Sequence, residues 1–164
     1  MRRSRFFLRT MLPAGNLLLL CWLGASKPAL ADRELSLNLF RSPSIGAEYR
    51  EAFLGLHGGF YPTVISRDAQ GHTETTWFLK FGATGHLGRF ALGGDAPSAF
   101  FTSVSYVRGL NHGWGNGALL DAGFRWVPWL GLNLRLGGGL LLSPDHSVRL
   151  NPTPGVGWNF PLRQ

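Results

Sequence analysis

The sequence predicts an all-β protein: a single antiparallel up-and-down β-barrel of about eight strands, formed after a signal peptide is cleaved. Three observations carry that prediction. Apolar and polar residues alternate through run after run, and the last sixty-odd residues do so almost without error. A period of two belongs to a strand, whose successive side chains point to opposite faces. The 164-residue chain holds 23 glycines, clustered at Gly58-Gly59, Gly93-Gly94 and Gly137-Gly138-Gly139; glycine weakens helices and suits tightly curved strands. The N-terminus has the build of an export signal, so the remaining strands read as those of a secreted protein.

That signal spans 1–31. Arg2, Arg3, Arg5 and Arg9 make its basic region, Leu17 to Ala25 its apolar stretch, and Ala29-Leu30-Ala31 an A-x-A cleavage site. Nine apolar residues are too few to cross roughly 30 Å of hydrocarbon as a helix, so this is a cleaved signal and not an anchor. Leu20, before Cys21, is not the small residue a lipoprotein site needs. The mature domain is then 32–164. Five of the sixteen Lys and Arg leave with the signal, so eleven cations face nine acids and the mature charge is +2. The high pI thus belongs largely to the export segment and gives no reason to expect nucleic acid. The single cysteine also leaves, and with it any disulfide or thiol chemistry.

Eight strands follow in order. The first, 33–40, sets Leu35, Leu37 and Leu39 against Ser36 and Asn38. The second, 43–50, sets Ile45, Ala47 and Tyr49 against Ser44, Gly46, Glu48 and Arg50. The third, 52–61, has Leu54, Leu56 and Phe60 against Gly55, His57 and Gly59. In the fourth, 73–87, Trp77, Leu79, Phe81, Ala83 and Leu87 oppose Glu74, Thr76, Lys80, Thr84 and His86, with Phe78 the one exception. The fifth, 98–108, is mixed in phase, because Phe101 and Val107 fall with Ser103 and Ser105. The sixth, 117–127, opposes Ala118, Leu120, Ala122, Phe124 and Trp126 to Asp121, Gly123 and Arg125. The seventh, 130–142, opposes a row of leucines to Asn133, Arg135, Gly137 and Gly139. The eighth, 155–162, ends the chain. Leu132, Leu134 and Leu136 share a face only in a strand.

Connections alternate in length. Arg50-Glu51 and Val127-Pro128-Trp129 are short turns, whereas 62–72, 109–116 and 143–154 are longer and rich in Gly, Pro, Asn and Asp. The 41–42 link and the 88–97 stretch break that rule. Trp126, Trp129, Trp158 and Phe160 fall near the short-turn end, and Phe60, Tyr61 and Tyr106 near the other. Trp and Tyr favour a membrane interface, having an apolar body and a polar tip.

Taken with the terminal Val156, Trp158, Phe160 and Leu162, these features resemble the small eight-stranded outer-membrane barrels of Gram-negative bacteria, the opacity-type and OmpA-like transmembrane domains. The resemblance is architectural and covers the whole mature chain. It implies an outer-membrane location, lipid against the apolar face, and a C-terminal assembly signal read by the barrel-assembly machinery. Such signals usually end on the aromatic, and here Pro161-Leu162-Arg163-Gln164 follow Phe160. The implied role is structural or one of surface interaction, without enzymatic activity or cofactor. Leu134→Arg, a charge on the lipid face, should cost about 2–4 kcal/mol.

The polar face offers an interior cluster: Glu48, His57, Lys80, Asp121, Arg125 and Arg135. Eight strands enclose just enough room for side chains, and unpaired charge there is costly, so these residues are expected to pair as a plug. A narrow conduction path is the alternative. His146 and Ser147, beside Asp145, are weak catalytic candidates. They are similar to the His/Ser pair with a carboxylate of one family of outer-membrane lipid A deacylases, but no acidic residue follows Asp145. Neighbours in sequence also rarely converge as a triad. The five histidines, His57, His72, His86, His112 and His146, have no metal-ligand spacing. Gly113-Trp114-Gly115-Asn116-Gly117 lacks the Lys-Ser/Thr of a phosphate loop and reads as a connection between strands. Two rivals remain: a lipid hydrolase in the outer membrane, and a periplasmic lipocalin-type barrel with its apolar face inward.

Overall fold

The computed structural model describes residues 33–162, apart from 68, 69, 91, 93–96, 130 and 145. The export signal expected at 1–31 lies outside them. The described residues form nine strands and no helix: β1 (Arg33–Asn38), β2 (Ile45–Glu51), β3 (Leu54–Arg67), β4 (Thr73–Phe90), β5 (Ser98–Gly109), β6 (Asn116–Trp126), β7 (Leu132–Ser143), β8 (His146–Pro152) and β9 (Gly155–Leu162). From β1 to β8 each strand pairs antiparallel with the next in sequence. β9 pairs with both β1 and β7, and the hydrogen bonds of one sheet close into a ring.

β8 and β9 together fill one position in that ring. Both pair with β7 in one continuous register: Leu140 faces Leu150, Gly138 faces Pro152, and Arg135 faces Gly155. Pro152 and Pro154 bracket the break, because neither has an N–H to offer the ladder. The ring therefore has eight positions, as the alternation predicted. One expectation is corrected here. Residues 143–154 do not form a long loop, because β8 occupies most of the stretch. Val148, Leu150 and Pro152 continue the outward parity of Val156, and the prolines concealed it. The 62–72 stretch is also shorter as a loop than expected, since β3 runs on to Arg67.

The stagger of the ring can be counted. Starting at Leu162, the partners run Arg33, Glu51, Leu54, Gly85, Thr102, Ala122, Gly138 and Pro152, which is ten residues further up the same structural position. With about 3.3 Å of rise per residue and about 4.8 Å between strands, eight positions and a stagger of ten tilt the strands by about 40° and give a backbone radius of about 8 Å.

The two faces are inverted relative to an ordinary core. Among the described residues, 23 polar or charged residues are buried against nine hydrophobic ones, while Leu56, Phe81, Leu136, Leu150 and many other large apolar side chains are exposed. Since folded proteins bury apolar groups preferentially, the interior here is polar by construction. This is the reverse of the lipocalin-type arrangement. Glycine lets the wall bend around that interior. Gly46 faces Gly59, and Gly123 faces Gly137. A Cβ on Gly46 would lie 2.7 Å from Gly59 Cα, and one on Gly123 2.6 Å from Gly137 Cα, so only glycine fits where these strands converge.

Candidate functional site: the polar interior

The interior residues stack in layers because every second residue of each strand turns inward. Lowest, at the short-turn end, Glu34 accepts from two arginines: Arg50 Nη2 at 3.0 Å and Arg125 Nη2 at 2.5 Å. Ser36 Oγ donates to Asn159 Oδ1 at 2.7 Å, and Asn133 Nδ2 donates to the same oxygen at 3.0 Å. Above them Glu48 is held between Arg135 Nη2 and His86 Nε2, the latter at 3.1 Å. His57 then bridges two hydroxyls, Nδ1 to Thr84 Oγ1 and Nε2 to Ser105 Oγ, both at 3.0 Å. Higher still, Lys80 Nζ donates to Asp121 Oδ2 at 2.7 Å, and Ser103 Oγ to the same oxygen at 3.1 Å. Lys80 is 0% exposed and sits 5.2 Å from the Tyr61 ring centroid, where a cation–π contact adds to its ion pair.

An apolar layer closes the upper end: Tyr61, Phe78, Val107, Trp114, Leu119 and Leu141. Trp114 comes from the 110–115 connection and meets Phe78 edge-on, with centroids 5.5 Å apart. Asn111 pins this connection to β4: its Oδ1 accepts from Trp77 N at 2.9 Å, and its Nδ2 donates to Thr75 O at 3.1 Å. The glycine-rich stretch is thus a connection, as expected, with its tryptophan turned inward as a lid.

The structure buries all six residues of the expected cluster, Glu48, His57, Lys80, Asp121, Arg125 and Arg135, but in separate layers: Glu48 pairs with Arg135 and Lys80 with Asp121, while Arg125 pairs with Glu34 and His57 with two hydroxyls. It adds Glu34, Arg50 and His86. Parity could have found these three: Glu34 shares a face with Ser36, Arg50 with Glu48, and His86 with Lys80. Tyr61 is a correction. It was expected in an outer aromatic girdle, but it is 0% exposed and faces inward, on the parity of His57 and Gly59. Phe101 and Val107, out of phase in the sequence, are likewise buried inside.

Val156, Trp158, Phe160 and Leu162 all point outward from β9, which zips onto β1 through Leu37–Trp158 and Leu35–Phe160. Ser147 is exposed on β8 and His146 begins that strand, so neither lies in a loop; Asp145 lies outside the described residues. His57 and Ser105 resemble a base and nucleophile at 3.0 Å, but the other ring nitrogen is held by Thr84 and no carboxylate orients the ring. This is a buried cross-link. Among the described residues no group of three His, Cys, Asp or Glu could hold a metal ion.

On the outside, the charged residues of the strands stand at the rims: Arg33 and Glu51, paired at 3.0 Å, with Arg89 at the lower rim, and Arg108 at the upper. Between them the outward positions among the described residues are Leu, Ile, Phe, Val, Ala, Trp, Tyr, Gly, Thr and Pro. On the counted stagger these rims lie about 25 Å apart along the axis. Trp126 and Trp158 lie toward the lower rim, and Trp77 and Tyr106 toward the upper. No family model matches the chain, and neither a curated protein nor a solved structure matches it.

Proposed function

We propose that this chain is an integral outer-membrane β-barrel with a structural or surface-interaction role and no catalytic activity. The observation that carries the reading is the charge-free apolar belt, about 25 Å tall, around a charged interior. An outer-membrane barrel has a lipid-facing band of that height, flanked by aromatics and enclosing a polar lumen. In water the same surface would be a contiguous apolar patch far beyond what soluble monomers tolerate. The closed ring supports the reading as well, since hydrocarbon admits no unpaired strand edge.

In this reading lipid meets the belt and the layered ion pairs plug the interior. The outward Val156, Trp158, Phe160 and Leu162 are what the barrel-assembly machinery engages. The 110–115 connection and the β3–β4 and β7–β8 hairpins form the surface that meets the exterior. The test is fractionation followed by a detergent gel with boiled and unboiled samples. The expected result is a heat-dependent mobility shift confined to the outer-membrane fraction. A soluble periplasmic protein with no shift would overturn the proposal.

A further inference from the structure

We propose that the interior binds one small inorganic anion, of the chloride or bromide class, between Arg125 and Arg135. The two arginines are direct cross-strand partners on β6 and β7, and both are buried, at 1% and 4% exposure. Each gives its Nη2 to a different carboxylate, Glu34 and Glu48. That leaves Nε of Arg125, and Nε and Nη1 of Arg135, buried and without a partner. The Arg135 guanidinium carbon lies 5.5 Å from the Phe101 ring centroid, and a cation–π contact of that kind leaves the N–H groups without a hydrogen-bond acceptor.

The charge balance favours an anion over water at this place. The buried ionic residues described are Arg50, Lys80, Arg125 and Arg135 against Glu34, Glu48 and Asp121. One positive charge is in excess, and it is local. Lys80 has Asp121 and Arg135 has Glu48, but Arg50 and Arg125 share Glu34. Two like charges side by side repel strongly in a low-dielectric interior, and uncompensated buried charge is costly. Water would satisfy the free N–H groups and leave that charge in place, whereas an anion does both. A backbone radius of about 8 Å, lined all round by inward side chains, limits the occupant to a small ion.

The inference concerns the interior and goes beyond the membrane reading, since it can be tested whichever fraction yields the protein. Crystals grown in bromide are expected to give an anomalous peak between the two guanidinium groups. Unfolding midpoints at equal ionic strength should be higher in bromide than in gluconate, too bulky to enter, by about 5 °C at saturating bromide. Asn133→Asp places a fixed carboxylate two residues from Arg135 on the same face and should abolish that difference. If this variant does not fold, Arg135→Gln serves in its place with the same expectation. No peak at the pair, equal midpoints in the two salts, or a variant that keeps the full bromide dependence would overturn the proposal.

Discussion

Arginine placed along the outer face of β7 separates a lipid surface from an aqueous one by the sign and shape of its effect. Leu132, Leu134, Leu136 and Leu140 all face outward, and Leu136 is 72% exposed. With the strands tilted by about 40°, each residue climbs about 2.5 Å along the axis. Measured from the middle of the belt, Leu136 lies about 2 Å away, Leu134 and Leu140 about 7–8 Å, and Leu132 about 12 Å. In lipid, Leu136→Arg should therefore cost about 2–4 kcal/mol, Leu132→Arg about 0–1 kcal/mol, and the other two intermediate amounts, which lowers the figure that alternation alone suggested for Leu134→Arg. In water, exchanging an exposed leucine for arginine changes stability by only about 0.5 kcal/mol. The assay is urea unfolding of the protein refolded into vesicles, read as the folded fraction on unboiled gels. A flat profile along β7, or Leu136→Arg as stable as Leu132→Arg, would refute the reasoning.

The interior and the wall give further expectations. Lys80→Met should cost about 3–5 kcal/mol, because it strands Asp121 as an unpaired buried charge, and adding Asp121→Leu should recover most of the loss; the same urea titration measures both. Gly137→Ala should destabilise by about 1–3 kcal/mol, because its Cβ would run into the Ala122 carbonyl. Gly138→Ala, outward with no atom nearer than 3.9 Å, should be close to neutral, and equal midpoints for the two would count against the close approach of β6 and β7. Phe160→Ala should lower the amount of protein assembled in cell envelopes while leaving refolding in vitro nearly unchanged, as expected of a residue read during assembly. A matching loss in both assays would make it a packing residue only.

Much of this architecture was legible because alternation is a local property. Leu132, Leu134 and Leu136 against Asn133 and Arg135 fix a strand and its two faces without reference to any other part of the chain. The count of eight positions followed from the number of such runs. Where the local pattern was interrupted, reading it failed. Pro152 and Pro154 made β8 look like a loop, and the 62–72 stretch hid the extension of β3 beyond Pro62. Tyr61, Phe78, Phe101 and Val107 are apolar residues on the polar parity. Phe78, Phe101 and Val107 read as exceptions strand by strand and Tyr61 as one of the outer aromatics, and only the ring shows that Tyr61, Phe78 and Val107 belong to one layer closing the upper end.

By itself the sequence determined most of the strands, the division of most of them into a polar and an apolar face, and which charged residues share the polar one. Periodicity is symmetric with respect to inside and outside, so it did not decide which face the closed sheet encloses. The tertiary structure decided that, along with the partner of each charge. Glu34 lies 91 residues from Arg125, and Glu48 87 residues from Arg135. Such pairs are set by the register around the ring and by its stagger of ten, both long-range quantities with no trace in any single strand. The juxtaposition of Arg125 and Arg135 is of the same kind: each residue reads as an ordinary inward arginine until the β6–β7 register sets them side by side.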